Sequence, residues 1–252
     1  MRSKLIKPIR SSMKYKYPIF SVFLLWALLS YAQSFEIPSS FKHLKQVSNF
    51  DYIDGYVFTH SEVDTNVRSI KLDHYSNEYS DVCFPICFIK INKKDEDKTL
   101  VVFEPGPSMD PEFVFYKKEE NKFKYLFRLG GQELYIPGNG NLYIVGLYNN
   151  MYTKKWKYTV ENDLVYEVKQ PYYEVGLKTI CVQSIQLFSD QQFTEVLATL
   201  PAKSEIEIIA ANSTDDHYLI KSSFGLLGWW KYEFDYGSLK RSAIPALYYH
   251  GD

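Results

Sequence analysis

The sequence predicts an all-β protein, and three observations lead to this fold class. Alternating apolar and polar residues, the pattern of half-buried strands, dominate the chain. Clusters of turn-forming residues, such as Gly130-Gly131 and Asn149-Asn150, separate the alternating segments. Beyond residue 32, only a short stretch at 41–47 suggests a helical turn.

Composition and charge narrow the class of protein further. The chain has 252 residues, 46% of them hydrophobic and 23% charged, which is enough apolar sequence for a packed core and excludes global disorder. Residues 1–32 hold six basic and no acidic residues, so the remainder carries 23 basic and 30 acidic side chains, a net charge of −7. Phosphate contacts need a basic face, and a negative body therefore argues against a nucleic-acid partner.

Residues 1–32 are predicted to be a secretory signal peptide. A basic stretch precedes an apolar run at 18–32. This run is about 15 residues long, which is short of the roughly 20 that a membrane-spanning helix needs. An uncleaved anchor remains the alternative. We expect a periplasmic or secreted protein with no membrane span after cleavage.

The cleavage site is predicted between Ala32 and Gln33. Ser30 and Ala32 are small residues at the two positions that a signal peptidase inspects. Translation starts at Met1 or at Met13, since the residues after Met13 form a sufficient leader by themselves.

Export permits disulfides, and the chain has three cysteines. Cys83 and Cys87 lie in a predicted strand, which would hold their Cα atoms about 13 Å apart. A disulfide needs roughly 4.4–6.8 Å, so this pair could form only if Pro85 makes a sharp turn. A bridge from either residue to Cys181 stays open, and so do buried thiols that pack as small apolar side chains.

Residues 36–170 are expected to form an N-terminal antiparallel β domain, as a sandwich, an open barrel or a partial propeller-like sheet. The alternation at 122–129 places Phe123, Tyr125, Phe127 and Leu129 on one face. A hairpin is expected at 155–169. Further strands are predicted at 52–59, 67–73, 83–91, 99–103, 113–117, 133–136 and 141–147.

Four segments of the C-terminal part share the pattern of one known family. They are 184–190, 195–209, 216–221 and, most specifically, Phe224-Gly-Leu-Leu-Gly-Trp-Trp230. On these segments, roughly residues 180–234 resemble a bacterial SH3 domain. The resemblance implies a small SH3-like barrel over 178–236, and we expect the tail at 237–252 to pack on the body.

The closing motif also implies structural roles for three residues. Gly225 is expected in a tight hairpin, and Gly228 where two backbones cross closely. Trp229 is expected to cover the small core. Residues 186–192 depart from the family's usual loop, which helps shape the ligand groove in wall-binding members.

Candidate catalytic and metal-binding residues do not form a known motif. The sequence has no His-Glu-x-x-His, no Gly-x-Ser-x-Gly and no phosphate loop. Segment 51–55 is expected to be a turn, and Glu104 and Asp110 are expected to be solvated beside a loop. We therefore expect no cofactor and no metal. The histidines are expected singly at the surface or in loops: His43, His60, His74, His217 and His250.

Aromatic residues are the feature with the clearest functional meaning. Trp229 and Trp230 are adjacent on a predicted strand and cannot both face the core, so Trp230 is expected to be exposed or to contact another domain. The predicted ligand-binding residues are Phe188, Tyr218, Trp230 and Tyr232.

These residues lead to a predicted function and two alternatives. The prediction is an exported, non-enzymatic protein that binds peptidoglycan, a wall peptide or another envelope protein. One alternative is an enzyme or inhibitor-like module with its site in the N-terminal domain or in an interdomain cleft. The other is a structural prop that binds no small ligand.

Overall fold

A computed structural model describes residues 37–50, 55–60, 63–67, 70, 72, 83–105, 110–120, 122–232 and 242–249. The predicted signal peptide, most of segment 51–55, His74 and His250 lie outside these residues. Contacts group Ser40–Asp252 into one compact unit. Among the described residues, no helix has the length and hydropathy needed to cross a membrane.

The described residues form one short 3₁₀ turn, Ser39–Phe41, and seventeen strands, which confirms the all-β prediction. In chain order the strands are β1 (Lys45–Phe50), β2 (Gly55–Thr59), β3 (Val63–Asp64), β4 (Phe84–Ile89), β5 (Thr99–Pro105), β6 (Pro111–Glu119), β7 (Lys122–Gly130), β8 (Glu133–Ile136), β9 (Asn141–Gly146), β10 (Lys154–Glu161), β11 (Leu164–Glu167), β12 (Tyr172–Ile180), β13 (Ile185–Phe188), β14 (Val196–Leu200), β15 (Glu205–Asn212), β16 (His217–Ser222) and β17 (Leu227–Lys231).

The strands form three sheets. Sheet 1 has the order β1-β2-β8-β9-β10-β11, sheet 2 the order β3-β4-β5-β6-β7, and sheet 3 the order β12-β15-β16-β17-β13-β14. The expected purely antiparallel N-terminal domain is wrong at one place, because β2 and β8 pair in parallel. The helical turn expected at 41–47 is present only in part, because the 3₁₀ turn Ser39–Phe41 reaches its first residue and β1 already begins at Lys45.

Sheets 1 and 2 share one apolar core, as the two layers of a sandwich do. Phe103 and Phe113 of sheet 2 meet edge to face, with ring centroids 5.7 Å apart. The fully or nearly buried members are Val57, Ile86, Cys87, Ile89, Ile91, Val101, Phe103, Phe113, Phe115, Phe127, Leu129, Leu134, Ile136, Leu142 and Ile144.

A bulge in β7 corrects the predicted face of this strand. Phe115 pairs with Phe127, but the next residue, Tyr116, pairs with Tyr125, so the register shifts between them. Phe127 lies in the shared core, whereas Phe123 packs on the opposite face of sheet 2. The inserted residue moves the side chains that precede it to the other face.

The predicted hairpin at 155–169 is formed by β10 and β11. Its turn residues Asn162 and Asp163 have φ values of 51° and 63°, the left-handed pair that a tight hairpin favours. Val160 and Val165 are cross-strand partners that pack against the shared core. Tyr166, next to Val165 in β11, is exposed.

Sheet 3 is open, because β12 and β14 remain as edges, so the expected small barrel does not close. It begins at Tyr172, before the expected start at residue 178. The described part of the C-terminal tail contributes Ile244 and Leu247 to the core beneath this sheet. The Val182 amide also donates a hydrogen bond to the carbonyl of Ala243.

Residues of β10 and of the loop before it connect the two cores. Trp156 packs against both the sandwich core and the core of sheet 3. The buried Lys154 ammonium lies 2.7 Å from a carboxylate oxygen of Asp215, and the Tyr152 hydroxyl donates to the other oxygen at 2.7 Å. We refer to Tyr152, Lys154 and Asp215 as the junction triad.

A buried carboxyl group at the start of β8 predicts a pH-dependent stability. Burial raises the pKa of Glu133 to about 7, although the Tyr135 hydroxyl donates to this carboxylate at 2.7 Å and Lys155 lies nearby. The folded state therefore binds this proton more tightly than the unfolded chain, whose pKa is near 4.5. Below about pH 4.5, Glu133 therefore does not lower the stability of the fold. As the pH rises from about 4.5 to 7, its ionisation increasingly destabilises the folded state, and the full effect remains above pH 7.

We therefore expect Glu133→Gln to stabilise the protein at pH 8, by at most about 3 kcal/mol, and to have little effect at pH 4.5. Glutamine keeps an oxygen that can accept the Tyr135 hydrogen bond. Urea unfolding of both proteins at the two pH values measures the difference. An equal gain at both pH values, or no gain at pH 8, would contradict the buried-carboxylate explanation.

Candidate ligand-binding surface

The four predicted ligand-binding residues do not form one platform. Tyr218, Trp230 and Tyr232 pack together, with ring centroids 5.9–6.4 Å apart, against the core of sheet 3. Tyr218 is 0% exposed, and its hydroxyl donates to the Asp215 carbonyl at 3.0 Å. The prediction that Tyr218 contacts a ligand is therefore wrong. Phe188 lies on the opposite face, because its neighbour Leu187 is the residue that points into the core.

Trp229 and Trp230 do point to opposite faces, but the predicted assignment is reversed. Trp230 pairs with the buried Tyr218 and packs on the core, while Trp229 pairs with Leu219 and Phe188 on the outer face. Alternation from Gly228 leads to the same result. A Cβ atom at Gly228 would lie 2.8 Å from the Cβ atom of the core residue Leu187, so Gly228 and Trp230 share the inner face.

The structure explains why glycine occupies both positions of the closing motif, Gly225 and Gly228. The close approach expected at Gly228 is present, since its Cβ atom would also lie 3.1 Å from the Phe188 carbonyl oxygen. Gly225 has a φ of 98°, which side-chain-bearing residues rarely adopt.

An apolar row crosses the outer face of sheet 3. Three register pairs place its members side by side: Val196 with Phe188, Phe188 with Trp229, and Trp229 with Leu219. The ring of Tyr172, on the edge strand β12, lies 5.7 Å from the ring of Trp229. We refer to these five residues as the outer row. Val196 and Tyr172 are exposed, and the other three are half-buried.

The loop between β13 and β14 extends the outer row with a further aromatic ring. Phe193 meets the ring of Phe188 at 5.3 Å and that of His217 at 4.8 Å, in both cases edge to face. Its φ of 57° is unusual for an aromatic residue. Asp190 stabilises this turn, because its carboxylate accepts a hydrogen bond from the Thr194 hydroxyl at 2.8 Å, which lowers the pKa of Asp190. Strained residues of this kind concentrate at binding sites.

Two polar residues of the sandwich are buried, and one of them contradicts its prediction. His60, expected at the surface or in a loop, follows β2 outside any strand; it is buried there, and its Nε2 atom donates to the Lys90 carbonyl at 3.0 Å. Glu104, expected to be solvated, is buried on β5, where burial raises its pKa and the Tyr116 hydroxyl donates to it. The prediction for Glu104 is therefore wrong, because β5 lies between β4 and β6 inside sheet 2.

The three cysteines are free thiols, and the described acidic residues and histidines form no metal-binding group. Cys83, Cys87 and Cys181 lie in the described part of the chain and form no disulfide with one another. Burial raises the pKa of Cys87 to about 12, which keeps this thiol protonated. Within the described ranges, no three His, Cys, Asp or Glu side chains are close enough to hold a metal ion together.

The sequence alone could have indicated some members of the outer row but not the neighbouring Phe193. Tyr172 and Tyr173 form a second adjacent aromatic pair that must alternate, and Tyr173 is the buried member. Phe193 carries no comparable signal, because its position depends on the turn at Asp190. Comparison of the chain with protein-family models, with curated proteins and with solved structures finds no match.

Proposed function

We propose that the protein is an exported, non-enzymatic binding protein of the cell envelope, and that it binds its ligand on the outer row of sheet 3. The observation that carries this proposal is an uncovered row of apolar side chains, centred on Trp229, on a sheet whose other face is a packed core. Contiguous apolar surface of this kind typically marks a binding site.

The composition of the outer row supports a ligand of low charge. Its five members are uncharged, and three of them are aromatic. Aromatic rings offer a large, rigid contact area that packs on proline rings, on aliphatic side chains or on the C–H faces of sugars. A peptidoglycan strand, a wall peptide or an extended segment of another envelope protein carries such groups.

The inner face of sheet 3 supports the outer row as a rigid platform. Trp230 and Tyr232 pack on a core to which Tyr152 of the preceding loop and Ile244 of the tail also belong. Binding to a preformed surface requires little ordering of the protein, so more of the contact energy contributes to affinity. The inner aromatic residues thus have the structural role that the prop alternative describes, and they support the binding role of Trp229.

The expected leader and the resemblance of residues 180–234 to bacterial SH3 domains support an envelope location. Bacterial export would bring the protein to peptidoglycan and its peptides, and wall-binding members of that family use a shallow groove. The negative net charge of the body supports a ligand other than a nucleic acid.

Trp229→Ala tests the proposal. We expect the wild-type protein, purified from cells that express the full chain, to co-sediment with isolated peptidoglycan or to retain a partner from an envelope extract. Loss of one aromatic anchor costs about 2 kcal/mol or more, so Trp229→Ala should bind roughly 30-fold more weakly. Tyr166→Ala, which removes an exposed aromatic side chain from sheet 1, is the matched control and should bind like the wild type. Equal binding by all three proteins, or none by the wild type in either assay, would contradict the proposal.

A further inference from the structure

A polar cleft lies where sheet 2 faces β10 and the loop that precedes it, away from the outer row. Its volume is about 390 Å³, within the range of about 300–1,000 Å³ for small-molecule sites. Strands β6 and β7 supply Glu112 and Arg128. The other side is lined by Tyr148, Asn149, Trp156 and Tyr158.

Glu112 holds the polar groups of the cleft in place. One of its carboxylate oxygens accepts a hydrogen bond from Arg128 Nη1 at 3.0 Å, and the other accepts one from the Tyr148 hydroxyl at 3.1 Å. The Glu112 side chain is only 5% exposed, whereas the Arg128 side chain is 51% exposed. Since a guanidinium carries five N–H donors, Arg128 retains donors for a ligand after this bond is made.

The loop side of the cleft is also fixed. The Tyr148 ring packs on the backbone of Gly130, where a Cβ atom would lie 2.5 Å from the ring. The Asn150 side-chain amide donates to the Tyr148 carbonyl at 2.6 Å. Asn149 is exposed at the rim with a φ of 50°, and its side-chain oxygen accepts a hydrogen bond from the Tyr249 hydroxyl of the tail at 3.4 Å. The donors and acceptors of the cleft are thus ordered before any ligand arrives.

The charges of the cleft favour a neutral ligand. Arg128 is compensated by Glu112, which leaves little attraction for an anion. The Glu112 carboxylate is buried and accepts two hydrogen bonds, which leaves little negative surface for a cation. Trp156 and Tyr158 add aromatic walls beside these hydrogen-bonding groups. Aromatic walls with a few oriented polar groups suit a sugar ring, whose C–H faces are apolar and whose edge carries hydroxyl groups.

We propose that this cleft is a second binding site, specific for a neutral pyranose ring. In this assignment Arg128 and Asn149 hold the sugar hydroxyl groups, and Trp156 or Tyr158 packs on a face of the ring. The site is separate from the outer row, so it goes beyond the proposed function and does not depend on it.

The test titrates methyl β-glucoside, as the probe, into the full protein and measures binding from the NMR chemical shifts. We expect saturable binding by the wild type, and binding weakened at least tenfold by Arg128→Lys, which keeps the charge but removes the planar set of donors. Asn149→Gly keeps the left-handed backbone, removes the amide and should weaken binding several-fold. Asn162→Gly, the same change at a second left-handed asparagine, is the matched control and should bind like the wild type.

Three results would overturn the proposal. The first is absence of saturable binding by the wild type. The second is unchanged binding in both Arg128→Lys and Asn149→Gly, with folding of each variant checked by its thermal unfolding. The third is tighter binding of glucuronate or glucosamine than of the glucoside.

Discussion

Replacing Asp215 with asparagine is expected to lower the free energy of unfolding by about 3–5 kcal/mol. The Lys154 side chain is only 8% exposed, and Asp215 is the carboxylate that compensates its charge. In the variant, the ammonium would face the ring of Tyr173, 4.1 Å away, and a neutral amide in place of the carboxylate. Asparagine tolerates the left-handed φ of 58° at this position, so the cost reports the lost ion pair and not backbone strain.

Urea unfolding of Asp215→Asn measures this cost. Two further variants show whether the cost comes from the buried charge of Lys154. Glu119→Gln breaks an exposed ion pair with Lys124 and should cost at most about 1 kcal/mol. Adding Lys154→Met to Asp215→Asn removes the uncompensated charge and should recover much of the stability. If Asp215→Asn costs no more than Glu119→Gln, the junction triad does not hold the two cores together.

The junction triad also bears on the expected boundary near residue 170. The triad and Trp156 connect the core of sheet 3 with the sandwich, so we expect the wild type to unfold in one transition. Two separate transitions, assigned to residues 36–170 and to sheet 3, would indicate that the two parts fold independently.

Trp230→Ala is the second variant with a large expected effect, a loss of about 3 kcal/mol of stability. Trp230 packs between the rings of Tyr218 and Tyr232 on the core of sheet 3, and truncation leaves a cavity there. Trp229→Ala removes a ring from the outer face and should cost about 1 kcal/mol or less. Thermal unfolding of the two variants under identical conditions compares them. A larger loss for Trp229→Ala would support the opposite assignment, with Trp229 over the core.

The tryptophan pair illustrates how far sequence alone could lead. Alternation correctly predicts that two adjacent residues of a strand face opposite sides. It does not say which side is buried, and that depends on the pairing of Trp230 with Tyr218, a residue of another strand. The resemblance to bacterial SH3 domains implied that Trp229 faces the core, and the structure places Trp230 there instead.

The sandwich illustrates the same limit at a different level. The hairpin of β10 and β11 was predictable, because local turn chemistry at Asn162 and Asp163 determines its register. The faces of β7 were not, because one inserted residue between Phe127 and Tyr125 shifts the alternation. The buried positions of Glu104 and Glu112 were also missed, since they are cross-strand partners on β5 and β6 and charged residues are usually exposed.

Site-specific photo-crosslinking tests the binding face most directly, because it captures any molecule that contacts that face in the cell. A photoreactive benzophenone side chain replaces Leu227, which alternation places on the same face as Trp229 and which is 52% exposed. The control carries the same group at Tyr166 of sheet 1, which is also 52% exposed. Cells that express the full chain are irradiated. If the outer row is the binding face, we expect crosslinks to an envelope component from position 227 and none from position 166. No crosslink from position 227, or the same products from both positions, would contradict it.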